Sequence, residues 1–168
     1  MKKSALLGHR SYFDMVHRIT LRTIETLSDT DLDFRPQSDM RSVRDLIQHI
    51  YGMQKSFALG IKAGRLSQEI ENANIPESVE GQAVSEGLKT IADCVAFAKD
   101  CHQIAGNTLA DLSDDQLTAS IEAPFGTFPA WQYFNFMYDE HWHHRGQLYT
   151  YIRLLGKKPP MLYDYQPS

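Results

Sequence analysis

Cysteine is scarce in this chain: Cys94 and Cys101 are the only two in 168 residues. Seven positions apart on one predicted helix, they stand about 10 Å from each other, too far for a mutual disulfide. Two unpaired thiols fit a reducing, cytoplasmic setting, and their plain reading is small core filler. No run of about 18 apolar residues exists, so no membrane span is expected. The opening Met1-Lys-Lys-Ser-Ala-Leu-Leu lacks the apolar stretch of a signal peptide. An excess of positive charge is missing too. Lys and Arg number 17 against 21 Asp and Glu, for a net charge of −4, and they are scattered rather than blocked. That balance argues against nucleic acid as a partner.

What remains is an ordinary globular composition, 42% hydrophobic and 23% charged, of a length that suits a single domain over residues 1–168. Apolar spacing predicts four long helices. The first, over 5–28, repeats Leu6, Phe13, Thr20 and Leu27 at seven, with Arg10, His17 and Ile24 between them. His17 faces inward there, as a hydrogen-bonded core residue or as a further metal ligand. The second, over 43–64, starts at Ser42 with Asp45 three positions on, a near capping box. It carries Leu46, Ile50, Met53, Phe57 and Ile61 on its apolar face, with His49 beside Ile50. Residues 64–82 read as a loop with a helical turn. The third helix, over 83–111, runs from Val84 and Leu88 through Val95, Ala98, His102 and Leu109, with His102 a core-edge residue. Leu112-Ser-Asp-Asp-Gln-Leu117 echoes Leu27-Ser-Asp-Thr-Asp-Leu32, a faint internal repeat. Residues 121–129 read as a turn, with Thr127 or Phe128 as N-cap and Pro129 in the first helical turn. The fourth helix, over 129–156, stops at Gly156, and 161–168 form a tail that its tyrosines pack down. Four such helices make an all-α, antiparallel four-helix bundle the expected architecture.

Chemistry concentrates in the fourth helix, at Glu140-His141-Trp142-His143-His144-Arg145-Gly146-Gln147-Leu148. Three of the seven histidines fall within four residues. At about 100° per residue, Glu140 lies one turn before His144 on one face, flanked along that face by Met137, Leu148 and Tyr151. A lone buried carboxylate or imidazole there would cost several kcal/mol. A divalent cation would satisfy Glu140 and His144 together, since side chains four apart converge, and a facing helix supplies the remaining ligand, for which His49 is the candidate. Far round the same helix, Trp131, Tyr138, Trp142 and Tyr149 form an aromatic stripe that needs cover, either from within the chain or from a second copy in a homodimer.

Arg35-Pro36, Arg41-Ser42-Val43, Ile47-Gln48-His49-Ile50 and above all His143-His144-Arg145-Gly146-Gln147-Leu148 resemble the DinB-like family (DinB/YfiT-like), over nearly the whole chain. The resemblance implies an up-down-down-up bundle, often dimeric. It also implies a divalent metal, commonly nickel, zinc or iron, held by three histidines. Relatives of this kind include thiol S-transferases that use a low-molecular-weight thiol. His49 and His144 match two of the family's ligands; where the family has the remaining histidine, this chain has Glu140. The site is then His49, Glu140 and His144, or His141 replaces Glu140, which would act as a supporting group or general base, or the metal is lost. Two function classes follow. One is a metal-dependent enzyme, a thiol S-transferase or hydrolase acting on a small molecule, with Arg145 and Tyr151 positioning substrate. The other is a non-catalytic metal-binding or stress-associated dimer.

Overall fold

The computed structural model describes residues 2–163. Four long helices make its body: α1 (Lys3–Glu25), α2 (Val43–Ala63), α5 (Ile91–Asp111) and α7 (Ala130–Leu154). Short helices α3 (Gln68–Asn72), α4 (Val79–Gly87) and α6 (Asp114–Thr118) and a hairpin of β1 (Ser120–Ala123) and β2 (Gly126–Pro129) fill the connections. α2 packs on α5 and α7, and α1 packs on the same two. Contacts along their lengths give the directions. Lys3 meets Asp114 just past the end of α5, so α1 and α5 run oppositely. Tyr138 bonds to His9, Arg145 to Val16 and Lys157 to Ser28, so α1 and α7 run together. His17 meets Tyr51 and Tyr151 meets Arg41, so α2 opposes both.

The helix ends follow from their caps. Ser42 Oγ accepts the Asp45 amide at 3.1 Å while the Asp45 carboxylate accepts the Ser42 amide at 3.2 Å, which satisfies donors a helix start leaves open. At the far end of α7, Gly156 takes φ +74. There Lys157 N donates back to Ile152 O at 2.9 Å, a glycine stop of the Schellman kind. The two hexapeptides fold alike: Asp31 accepts the Ser28 amide and Gln116 the Ser113 amide, with the leucines bracketing each buried.

Two expectations need correction. The third helix is broken: Thr90 is extended at φ −130 and caps a new start with Asp93. Val84 and Leu88 therefore belong to, or just follow, the separate α4. Residues 121–129 are a hairpin with Ser120 opposite Pro129 and Ala123 opposite Gly126. Pro129, extended at ψ 146, is the N-cap of α7 rather than part of its first turn. Leu66 N donates to Glu122 O at 2.7 Å, tying the hairpin to the end of α2. Tyr163 is exposed, and Tyr165, also expected to pack the tail down, lies outside the described residues. No helix of the described residues is long and apolar enough to cross a membrane. Cys94 and Cys101 are free and buried, and burial pushes both thiols up to about 12, so they pack rather than react.

The core has two apolar halves. One gathers Leu6, Phe13, Met53, Phe57, Leu109 and Met137; the other gathers Ile24, Ile47, Ile50, Ala98, Leu148 and Ile152. By position along each helix, a buried polar layer lies between them. His102 bonds to Asp14 at 2.7 Å and to Gln54 at 3.1 Å; Gln54 bonds to His141 at 3.0 Å; His141 bonds to Thr20 at 3.1 Å. His17 stacks on His102, ring centroids 3.8 Å apart, and bonds to Tyr51 at 3.0 Å. Buried imidazoles stay neutral here. Burial pushes His17 down to about 3, with His102 adding to the effect and Asp14 opposing it. A histidine depressed in the folded state stabilises it only above its unfolded value of about 6.5. Unfolding free energy is therefore expected to fall as pH drops from about 6.5 toward 3. The His17 share is roughly 1–2 kcal/mol between pH 7 and 5. Urea melts of wild type and His17→Gln, with the variant showing the shallower slope, check this.

Candidate metal centre

His49 comes from the second turn of α2, and Glu140 and His144 from consecutive turns of α7. One atom from each lies within 4.8 Å of the others. Glu140 Oε2 is 3.3 Å from His49 Nε2 and 3.2 Å from His144 Nε2. It is buried and makes no hydrogen bond despite those distances. The two rings meet edge to face, centroids 4.6 Å apart.

His144 is hydrogen-bonded from behind, while His49 has a carboxylate behind it beyond hydrogen-bond range. Gln147 Oε1 faces His144 Nδ1 at 2.8 Å. Since a carbonyl only accepts, Nδ1 carries the proton and Nε2 presents a lone pair to the centre. Behind His49 Nδ1 stands Glu77 Oε2 at 3.8 Å, and the other oxygen of Glu77 accepts Arg41 Nε at 2.5 Å. Glu77 sits in the connection between α3 and α4, which lies directly on α2. A Cβ on Gly52 would fall 2.0 Å from the Asn74 carbonyl oxygen, so glycine permits the approach. Gln48 Nε2 bonds to Gly81 O at 2.7 Å, and Ser85 bonds to Asp45 at 2.7 Å.

The charges reinforce one another. Burial pushes the Glu140 carboxyl up, but His144 and His49 beside it hold it down at about 2. Glu77, likewise pushed up by burial, is held at about 2 by His49 and Arg41. For His49, burial pulls down, yet Glu140 and Glu77 outweigh it and raise its basicity.

A scan against family models matches the DinB family over residues 1–167. The chain belongs to the DinB family. Among solved structures, this DinB chain is similar to a DinB-like protein from Bacillus subtilis, YjoA. The two are 23% identical, with a TM-score of 0.69, over 91% of this chain and 95% of that one. That likeness bears on the fold. Among the curated proteins, none matches this DinB chain.

Of the residues singled out in sequence, His49, Glu140 and His144 converge. His141, the alternative to Glu140, does not: one residue on, it turns about 100° away. It is fully buried in the polar layer, with both ring nitrogens engaged by Thr20 and Gln54. Arg145 is also buried, donates to Val16 O at 3.1 Å and covers Trp142, so it points away from the centre. The aromatic stripe is covered in part by α1: Tyr138 packs on Tyr12 and Phe13, and Tyr149 is buried. Glu77 went unseen in sequence because a loop carboxylate has no periodicity to mark it. Gln147, three residues after His144, carried a legible signal in its helix spacing. In the metal-free protein, His49 is expected to titrate above the ordinary imidazole range. Glu140→Gln lowers that midpoint by removing one of the two raising charges. An NMR titration of the His49 ring proton reads this, and an unmoved midpoint would contradict the electrostatics given above.

Proposed function

We propose that this DinB-family chain binds one divalent metal through His49 Nε2, His144 Nε2 and a Glu140 carboxylate oxygen. We further propose that the loaded protein is an enzyme acting on a small molecule, by thiol S-transfer or hydrolysis. The observation that carries the reading is the orphaned Glu140 oxygen between the Nε2 atoms of His49 and His144. Donors bonded to a tetrahedral ion at about 2.0–2.1 Å stand about 3.3 Å apart, and the two contacts to Glu140 are 3.3 and 3.2 Å. Two imidazoles and a carboxylate suit zinc, nickel or ferrous iron. Three protein ligands leave a position open, the arrangement of catalytic rather than structural sites. A metal bound there would lower the pKa of a thiol or water and supply a nucleophile near neutral pH. The chain's own part is orientation: Gln147 fixes which nitrogen His144 presents, and Glu77 sets a negative charge behind His49. The low-molecular-weight thiol and the homodimer that the family resemblance implies belong to this proposal, the latter read by light scattering.

Calorimetric titration with zinc is expected to give one equivalent per chain. Zinc at 100 times Kd adds about 2.7 kcal/mol to unfolding free energy, so Tm rises and a chelator reverses it. His49→Ala and His144→Ala are each expected to weaken binding by about 100-fold or more. Unchanged zinc affinity in both would sink the metal assignment. Stoichiometric metal with no turnover across thiol-transfer and hydrolase substrates would leave a non-catalytic metal protein.

A further inference from the structure

Beside the centre, on the far side of Glu77 and Gln147, lies a pocket of about 320 Å³ lined by Asp39, Met40, Arg41, Glu77, Gln147 and Tyr151. Its size falls at the lower end of small-molecule sites. Two of its lining side chains neighbour the centre: Gln147 bonds to His144, and Glu77 stands 3.8 Å from His49. Arg41 is anchored at two points: Nε donates to Glu77 at 2.5 Å, and its carbonyl accepts the Tyr151 hydroxyl at 3.1 Å. Among the described residues no hydrogen bond engages its two terminal nitrogens, and the side chain is one-third exposed.

We infer that this pocket is the substrate pocket of the centre, that it takes a small aliphatic monocarboxylate, and that Arg41 is the residue that anchors it. The inference deepens the metal-dependent reading above and rests on it. A planar guanidinium already oriented through Nε offers a paired N–H edge that matches a carboxylate. One cation faces two anions in this pocket, since Asp39 and Glu77 also line it. Those two carboxylates oppose any anion, a phosphate dianion more strongly than a singly charged carboxylate, so the attraction has to come from the Arg41 N–H edge. Met40 and the Tyr151 ring supply apolar wall for a short alkyl chain.

The test uses the full chain, labelled for NMR, with and without zinc. The probes are hexanoate, its uncharged counterpart hexanamide, and inorganic phosphate. Hexanoate is expected to shift the Arg41 Nε–H and Gln147 amide signals saturably and to move the His49 and His144 ring signals of the zinc form. Hexanamide and phosphate bind at least tenfold more weakly. Arg41→Gln weakens hexanoate at least tenfold, and Arg41→Lys, which keeps the charge without the planar edge, falls between. Equal binding of hexanamide or phosphate, equal affinity in Arg41→Gln, or no saturable binding overturns the inference. Shifts at Arg41 that leave both rings still overturn the assignment to the centre. Zinc binding without hexanoate binding removes this inference alone, whereas hexanoate binding to a chain that takes no zinc removes the metal reading.

Discussion

A carboxylate withdrawn from water between two helices sets the terms for this fold. Glu140 stays ionised although three-quarters of its side chain is covered, and an isolated charge in that position would be strongly destabilising. Its own helix supplies one compensating group, His144, by the i to i+4 spacing. The other, His49, arrives only if α2 lies antiparallel against α7 at the right height. Glu77 then has to reach His49 from behind, which presses the connection onto α2 at Gly52. Each step outward from Glu140 is thus a demand on packing, and the demands are met by different elements.

Two polar groupings sit at one level of the bundle, and they do different things. The layer of His17, His102, Gln54, His141 and Thr20 is closed: each imidazole is buried, neutral and matched to a neighbour. The centre at His49, Glu140 and His144 is partly open and has an acceptor with nothing to accept. Adjacent residues, Glu140 and His141, feed the two groupings because a helix turns its side chains about 100° at each step. Matched groups hold a structure, whereas an unmatched acceptor between two imidazole nitrogens invites a cation.

Much of this was legible in the sequence wherever periodicity spoke. The four long helices, the Ser42 cap, the Gly156 stop and the inward placement of His49 and His144 all follow from spacing and end chemistry. Glu140 was legible as His144's partner by the same rule. The break between α4 and α5 was not, because the apolar pattern runs straight through it and only the Thr90–Asp93 cap overrides the pattern. The hairpin was missed because four-residue strands are too short to show alternation. Glu77 and the orientation of Arg41 depend on where a connection folds back, which no local pattern encodes.

The closed layer has a mechanical consequence for its open neighbour. Helices packed only by apolar side chains tolerate slippage along their axes, since one methyl replaces another at little loss. A slip of α7 past α2 by a single turn, about 5.4 Å, would strand Gln54 and His141 without counterparts in a water-poor interior. Their pairing acts as a detent, and the spacing of His49 from Glu140 and His144 inherits its precision from hydrogen bonds it does not itself make.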